Sequence, residues 1–140
     1  KRKVMRIKTK LNSICGEPRV PCHNDPLCAN WIIGEGRMFL IDWEYAGMND
    51  PMWDLADVSI ESVYTEKEDA LLLKHYFGRE VNSIEMLSFT ANKIYLDYLW
   101  TLWGLTRVPF DHEMMQDYAD LRYKRLKMNL KRFKKHMKKV

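Results

Sequence analysis

The chain has 140 residues, of which 46% are hydrophobic and 30% charged, and its formal net charge is +4. This length and composition are those of one ordinary globular domain with a real core, and they exclude a low-complexity chain. No stretch approaches the about eighteen apolar residues of a membrane span. The first residues are too charged for a signal peptide.

The basic residues are concentrated at the two ends of the chain. Lys1–Lys10 holds six of the 23 Lys and Arg residues, Leu121–Val140 holds ten, and neither stretch has an acidic residue. The body between them carries seven basic against 19 acidic residues, a net charge of about −12. An acidic body suits a cationic ligand and metal ions, and the basic ends are typical of solvated helix faces. We therefore expect no nucleic-acid partner.

Three cysteines, Cys15, Cys22 and Cys28, form no even disulfide framework, which indicates a reducing, cytoplasmic location. With His23 they offer a candidate zinc site, but their spacing lacks the close C-x2-C pair of structural zinc sites. Buried or idle thiols are the interpretation that we favour. The chain does not begin with Met, so we expect it to be trimmed or partial.

The first half of the chain is predicted to contain one helix and one hairpin. Apolar residues with a helical period predict a helix over Lys3–Ile14, which Gly16 and Pro18 would end. A short extended segment, Arg19–Cys22, leads into a polar loop. Trp31–Ile33 and Met38–Ile41 are then predicted to be two strands around a glycine-containing turn, Gly34–Arg37. This turn lacks the third glycine and the following helix of a nucleotide-binding loop.

Four helices are predicted after the first one, which gives an α+β fold that is mainly α: a helical body with one small β-hairpin. Their ends are marked by capping residues, glycine or proline. The later helices are expected from an Asp54 cap to about Tyr64, from about Glu66 to Phe77 before Gly78, from Ser83 to about Arg107 before Pro109, and from an Asp111 cap into the basic tail.

A spaced polar set surrounds the predicted hairpin. His23-x-Asp25-x4-Asn30 precedes the first strand, and Asp42 follows the second. Phosphoryl transfer from a metal-bound nucleotide requires such groups: one carboxylate for the attacking hydroxyl, then an amide and a second carboxylate for the metal ions. A lone Asp-x4-Asn would be weak evidence, because turns are rich in both residues. The whole set in this order is far more specific.

These residues resemble the C-terminal lobe of the choline/ethanolamine kinases. The resemblance is greatest to the bacterial LicA-type choline kinases, within the aminoglycoside phosphotransferase-like group of the protein-kinase-like fold. It is dense over about residues 22–61 and looser through the last two helices, so that residues 1–140 would form one lobe. The motifs that carry it are His23-Asn24-Asp25-Pro26 with Asn30, Ile41-Asp42-Trp43-Glu44-Tyr45, and Asp54-Leu55-Ala56.

The resemblance implies a role for each residue of the polar set. Asp25 would be the catalytic base, and His23 would brace its loop. Asn30 and Asp42 would be ligands of Mg²⁺, with ATP as the co-substrate. Asp54 would tie the loop to the helix that follows.

The resemblance also implies an acceptor pocket for choline or a similar small cationic alcohol. Its expected members are Glu44, Tyr45, Glu61, Trp100, Trp103 and Tyr118, with Tyr64 and Arg122 as weaker candidates. A quaternary ammonium cannot donate a hydrogen bond, so it is recognised by aromatic faces and a nearby negative charge. Trp100 and Trp103 would share one helix face, because residues three apart are neighbours there. The competing interpretation is that these tryptophans are simply core.

Two other functions remain open. A related kinase acting on ethanolamine, thiamine or an aminoglycoside would keep Asp25, Asn30 and Asp42 without needing the aromatic cage. Alternatively, the chain is a non-catalytic binding module whose basic last helix docks on acidic membrane or nucleic acid.

The ATP-binding lobe of the resembled kinases is missing from this sequence. No glycine-rich loop or strand lysine precedes the polar set. We therefore expect the chain alone to be inactive, and we expect an exposed lobe interface that favours self-association.

Overall fold

The computed structural model describes residues 2–15 and 19–138, without the side chains of Asn12 and Cys15. Within these residues the chain forms five α-helices and four short strands. In chain order they are α1 (Arg2–Cys15), β1 (Val20–Cys22), β2 (Trp31–Gly34), β3 (Arg37–Leu40), β4 (Gly47–Asn49), α2 (Pro51–Glu61), α3 (Glu66–Phe77), α4 (Ser83–Arg107) and α5 (His112–His136).

The predicted class, α+β and mainly α, is confirmed, and most predicted helices have the expected bounds. Helix α3 begins after Thr65, whose side chain and that of Glu68 form a reciprocal capping box. It ends at Gly78, whose φ of +65° is the left-handed conformation that glycine adopts without strain. Helix α4 spans the predicted residues and begins at an Asn82 capping box. Gly16 and Pro18, predicted to end α1, lie outside the described residues.

The predicted Asp54 cap is wrong, because Asp50 occupies that position. The Asp50 carboxylate accepts a hydrogen bond from the Met52 amide at 2.9 Å, and Pro51 follows as the first helical residue. The second carboxylate oxygen of Asp50 accepts a hydrogen bond from the Asn92 side chain at 3.0 Å, which connects the start of α2 to α4. Asp111 is at the predicted N-cap position of α5, but its side chain makes no capping hydrogen bond.

The prediction of a single hairpin was incomplete, because the described residues form two separate two-stranded antiparallel sheets. Strands β2 and β3 form the predicted hairpin, with Trp31 opposite Leu40 and Gly34 opposite Arg37. Strand β1 pairs with the unpredicted β4, so that Cys22 lies opposite Gly47. This second pair closes a loop that contains the entire hairpin. Residues 22 and 47 thereby become neighbours, and the polar set is gathered between them.

Helix α4 lies at the centre of the molecule and separates two clusters of buried apolar side chains. One of its faces packs on α1 and α5 through Leu87, Ala91 and Ile94. The opposite face packs on α2 and α3 through Phe89 and Leu96. Because α4 is covered from both sides, it is a rigid platform for the side chains at its exposed C-terminal end.

Helices α4 and α5 approach each other closely at Gly104. A Cβ atom at this position would lie 2.9 Å from Cδ1 of Tyr118 and 3.1 Å from Cβ of Ala119. A glycine is therefore needed for the two backbones to pack at this distance. Further along the pair, the buried Asp97 carboxylate accepts hydrogen bonds from Arg125 at 2.8 Å and Asn129 at 3.0 Å. Among the described helices, none is both long and apolar enough to cross a membrane.

Candidate active site

The polar loop after β1 is held by one side chain of α2. The Asp54 carboxylate accepts hydrogen bonds from the backbone amides of His23 at 2.7 Å and Asn24 at 2.8 Å. Trp53 adds a third contact, because its ring N–H donates to the Asn24 carbonyl at 3.1 Å. Asp54 thus lies in the first turn of α2 and links the helix to the loop, although it does not cap the helix.

His23 connects the loop to the far end of the hairpin. Its ring is buried, and Nδ1 accepts a hydrogen bond from the Asp25 amide at 3.3 Å. Nε2 must then carry the proton, and it donates to the Ile41 carbonyl at 2.8 Å. The Trp43 ring packs edge-on against the imidazole at a centroid distance of 4.8 Å. His23 therefore fixes Asp25 relative to Asp42, the residue after Ile41.

Asn30 and Asp42 stand at the two open ends of the hairpin. The Ile41 amide donates to the Asn30 carbonyl at 3.0 Å, which brings the two residues together across the strands. The Asn30 side chain donates through Nδ2 to the Asp25 carbonyl at 3.1 Å, which leaves its amide oxygen available. Asp42 has a φ of +63°, a strained conformation that orients its exposed carboxylate.

An amide oxygen and a carboxylate are the hard oxygen ligands that Mg²⁺ takes from proteins, together with water and substrate phosphates. Asn30 and Asp42 therefore fit this ion. No group of three or more His, Cys, Asp or Glu residues suited to a metal occurs within the described part of the chain. A two-ligand site completed by phosphate oxygens is the arrangement that these side chains offer.

Asp25 lies beside this pair in a field of other acidic groups. Burial raises the pKa of its carboxyl, and the negative charges of Glu61, Asp42 and Glu44 raise it further. One carboxylate oxygen, Oδ1, is buried without a hydrogen-bond partner. A carboxylate with a raised pKa and a free oxygen is suited to accept a proton.

Glu44 and Tyr45 lie in a short 3₁₀ turn, Trp43–Tyr45, directly after Asp42. Both side chains are exposed. The Tyr45 carbonyl accepts a hydrogen bond from the Asn24 side chain at 2.8 Å, so this turn is fastened to the polar loop. Within the described residues the Tyr45 ring makes no ring contact with the other predicted aromatic residues.

The other three aromatic residues form a continuous row at the ends of α4 and α5. Trp100 meets Trp103 edge-to-face at a centroid distance of 5.7 Å, and Trp103 meets Tyr118 at 5.8 Å. Trp100 also packs against the core cluster of α2 and α3, and its ring nitrogen is buried without a partner. Trp103 is 39% exposed. Trp100 is therefore partly core, whereas Trp103 presents a ring to solvent.

Glu61, the last residue of α2, is near enough to both Asp25 and Tyr118 for its charge to act on each. Its charge raises the pKa of both the Asp25 carboxyl and the Tyr118 hydroxyl, although burial is the larger cause at each. Arg122 pairs with it, Nη2 to Oε1, at 2.6 Å. The same guanidinium lies 4.8 Å from the centre of the Tyr118 ring. Glu61 is thus neutralised by a side chain of the protein itself.

Asp57 is a member of this region that the sequence did not single out. Asp57 is fully buried one turn before Glu61, and neither of its carboxylate oxygens has a hydrogen-bond partner. Burial, followed by the Glu61 and Asp25 charges, raises the pKa of Asp57 to about 8, whereas the Arg122 charge lowers it. The spacing of Asp54, Asp57 and Glu61 on one helix was the available signal.

The remaining candidates have ordinary contacts. Cys22 is buried, its thiol donates to the Asn49 carbonyl at 3.6 Å, and burial raises its pKa to about 11. Cys28 is exposed and contacts the Ser62 hydroxyl at 3.3 Å. The side chain of Cys15 lies outside the described residues, so the three thiols cannot be placed together.

Comparison with known proteins identifies the family. Residues 5–84, more than half of the chain, match the phosphotransferase enzyme family. The chain belongs to this family. It is 36% identical over 107 residues to the LicA protein of Haemophilus influenzae, which covers 71% of this chain and 39% of that protein.

Solved structures give the same result. A choline/ethanolamine kinase family protein from Mesorhizobium loti superposes with a TM-score of 0.84 at 37% identity, covering 96% of this chain and 48% of that one. LicA in complex with AMP gives a TM-score of 0.79 at 34% identity, covering 94% and 45%. The resemblance to choline/ethanolamine kinases is thereby confirmed, and the chain spans about half the length of these relatives or less.

Proposed function

We propose that this chain supplies the acceptor half of an ATP- and Mg²⁺-dependent kinase that phosphorylates the hydroxyl of choline. The observation that carries the proposal is the row Trp100–Trp103–Tyr118, whose last member, Tyr118, lies near the acidic Glu61. Aromatic faces with a nearby carboxylate are the groups that recognise a cation unable to donate hydrogen bonds. The small-molecule kinase activity of the relatives supports this assignment.

In this proposal Asp25 receives the proton of the substrate hydroxyl. His23 fixes the Asp25 backbone, and Asp54 fixes the two preceding amides, so the carboxylate is held before substrate arrives. Asn30 and Asp42 would hold Mg²⁺ at the open end of the hairpin. The ion, when bound, neutralises the phosphate charge that develops during transfer.

The aromatic row would hold the trimethylammonium group. Each ring face that the cation meets contributes roughly 0.5–2 kcal/mol of attraction. Glu44 and Glu61 add to the negative field around Asp25, because the charge of each raises the Asp25 pKa. The hydroxyl of a small alcohol would then point at Asp25 while its ammonium lies on the aromatic rings.

The test replaces the base in the chain joined to the ATP-binding half of the Haemophilus LicA relative. Asp25→Asn should lower choline phosphorylation by about two to four orders of magnitude, because an amide cannot accept the proton. Its helical circular dichroism should match the parent. Near-normal turnover by a folded Asp25→Asn protein would remove the central assignment. Asp42→Asn should in addition raise the Mg²⁺ concentration needed for activity.

Ethanolamine is the second candidate acceptor, and the exposed carboxylate of Glu44 favours it. A primary ammonium donates hydrogen bonds, so its hydrogen bonds to carboxylates compensate for a weaker attraction to aromatic faces. The two candidates are distinguished by replacing a tryptophan with alanine. The loss of affinity for choline is then compared with the loss of affinity for ethanolamine. In either case we place the enzyme in the cytoplasm, where ATP and Mg²⁺ are available.

A further inference from the structure

Arg122 occupies the position at which the proposed acceptor site needs a cation. Its guanidinium pairs with Glu61 at 2.6 Å and lies 4.8 Å from the centre of the Tyr118 ring. These are the carboxylate and one of the ring faces that a substrate ammonium would use. The side chain is only 7% exposed, so the contact is built into the protein and is not a chance surface pair.

The guanidinium is incompletely satisfied in this position. Its Nη1 atom is buried and has no hydrogen-bond partner. A buried donor without a partner is costly, about 1–3 kcal/mol, so the side chain gains from any arrangement that supplies an acceptor. Asp57 offers one nearby: it is fully buried, both of its carboxylate oxygens lack partners, and the Arg122 charge already acts on it.

Arg125, the next arginine along α5, is held by partners on two other helices. Arg125 donates to the Asp97 carboxylate at 2.8 Å and to the Ile60 carbonyl at 2.6 Å. Arg125 thus joins α5 to α4 and α2 at once. Arg122 is held differently, because it pairs with Glu61 at the end of α2 and lies against the Tyr118 ring of its own helix.

We propose that Arg122 is a resident cation of the acceptor site, which the substrate ammonium displaces from Glu61 and Tyr118 toward Asp57. The inference rests on the proposed function and adds a specificity-determining residue to it. A second positive charge cannot share Glu61 and the Tyr118 face with Arg122, because like charges a few ångströms apart repel. Binding therefore requires the guanidinium to move, and Asp57 accepts it.

The need to displace Arg122 would increase the selectivity of the site among cationic alcohols. A cation that meets only one ring gains too little to move Arg122. An alcohol whose ammonium reaches Glu61 and the whole aromatic row gains enough. Arg122 would thus weaken the binding of every cation and weaken partial matches most.

The test is whether choline binds more tightly or more weakly when the positive charge of Arg122 is removed. Choline is titrated calorimetrically into the chain and into Arg122→Gln. The variant should bind choline about five-fold or more tightly, because Glu61 is then unpaired. The matched control is Arg132→Gln, which removes the same charge from the same helix, where Arg132 pairs with Glu66 at 3.0 Å. The control should leave the affinity unchanged.

Asp57 is tested by the same titration in two backgrounds. Asp57→Ala should weaken choline binding about three-fold in the parent, because the displaced guanidinium loses its acceptor. In the Arg122→Gln background the same change should have no effect. Equal effects in both backgrounds would show that Asp57 does not receive Arg122.

The failure of this inference can be told from the failure of the proposed function. If the parent binds choline and Trp103→Ala weakens that binding, while Arg122→Gln binds choline equally or less tightly, only the displacement is wrong. If neither the parent nor Arg122→Gln binds choline, the proposed acceptor is wrong, and the inference falls with it.

A direct measurement covers the case in which Arg122→Gln does not fold. The side-chain Nε–Hε resonance of Arg122 is followed by NMR in the parent chain, with Arg122→Lys used to assign it. Saturating choline should shift this resonance and leave those of Arg79 and Arg132 in place. An Arg122 resonance that choline does not move would overturn the proposal.

Discussion

Asp57 is an acidic residue with no compensating hydrogen bond in the described structure. It is fully buried, and burial together with Glu61 and Asp25 raises its pKa to about 8. In the unfolded chain the same carboxyl titrates near its ordinary value of 3.8. Between pH 3.8 and about pH 8, the folded protein therefore keeps a proton on Asp57 that the unfolded chain has released.

The sign of the resulting pH dependence follows directly. Because the folded-state pKa is the higher one, the contribution to stability is fully present below about pH 4. It is lost as the pH rises toward about 8. Each tenfold difference in proton affinity is worth about 1.4 kcal/mol. Asp57→Asn should therefore flatten the fall in the free energy of unfolding between pH 5 and 8.

Guanidinium unfolding curves at several pH values measure this effect. Asp57→Asn should be more stable than the parent at pH 8 and close to it at pH 4. Asp120→Asn, an exposed carboxylate of α5, is the control and should follow the parent throughout. Parallel pH profiles for the parent and Asp57→Asn would contradict the assignment of a buried neutral carboxyl.

At the residue scale, the sequence predicted the members of the polar set better than their individual contacts. His23, Asp25, Asn30 and Asp42 were found from their spacing alone, and the structure brings them together. The role of Asp54 as a helix cap was wrong, because Asp50 stands four residues earlier and precedes a proline. Two aspartates near one helix start cannot be distinguished until the partner amides are known.

Among the elements, the close packing of α4 on α5 determines where Tyr118 lies. Gly104 allows it, since a Cβ atom there would come within 2.9 Å of the Tyr118 ring. Ala is the better helix former by about 1 kcal/mol, so propensity alone would favour the substitution. The contact distance opposes it, because both the ring and the Ala119 backbone are held by the helix pair.

Gly104→Ala should lower the melting temperature and weaken choline binding several-fold, because it pushes the Tyr118 ring out of the aromatic row. Thermal unfolding and calorimetric titration of the same sample measure both effects. Gly34→Ala is the control, since its Cβ would have no heavy atom within 4 Å. A Gly104→Ala variant with a higher melting temperature and unchanged affinity would contradict the close approach.

Element boundaries were predictable wherever a local chemical signal marks them. The Gly78 stop and the extent of α4 follow from turn and capping residues next to a periodic segment. Strand β4 was missed because Gly47–Asn49 has no alternating pattern, and it is defined by its pairing with β1. Such long-range pairing carries no local signature.

In the molecule as a whole, the hairpin β2–β3 leaves a large apolar surface uncovered. Ile33 and Met38, which are cross-strand partners on one face of the hairpin, are 75% and 61% exposed. Contiguous exposed apolar surface marks an interaction site or an aggregation liability. The chain spans about half the length of its relatives or less, so we propose that the ATP-binding half of such a kinase packs on this face.

The isolated chain should therefore self-associate and should not phosphorylate choline. Sedimentation velocity should show oligomers that Ile33→Thr combined with Met38→Thr reduces, since threonine keeps the strand preference and removes apolar area. Assays of ATP consumption with choline should give no activity above background. Robust transfer to choline by a purified monomer of these 140 residues would contradict this prediction.

The central claim, that the aromatic row recognises a quaternary ammonium, is tested most directly by two affinities measured side by side. Choline and ethanolamine are titrated into the parent chain, Trp103→Ala and Trp103→Phe. Trp103→Ala should weaken choline by about ten-fold or more, and ethanolamine less, because the primary ammonium keeps its hydrogen bonds to carboxylates. Trp103→Phe should recover part of the choline loss. If Trp103→Ala lowers the melting temperature but leaves the choline-to-ethanolamine affinity ratio unchanged, the rings are core packing and the choline assignment is contradicted.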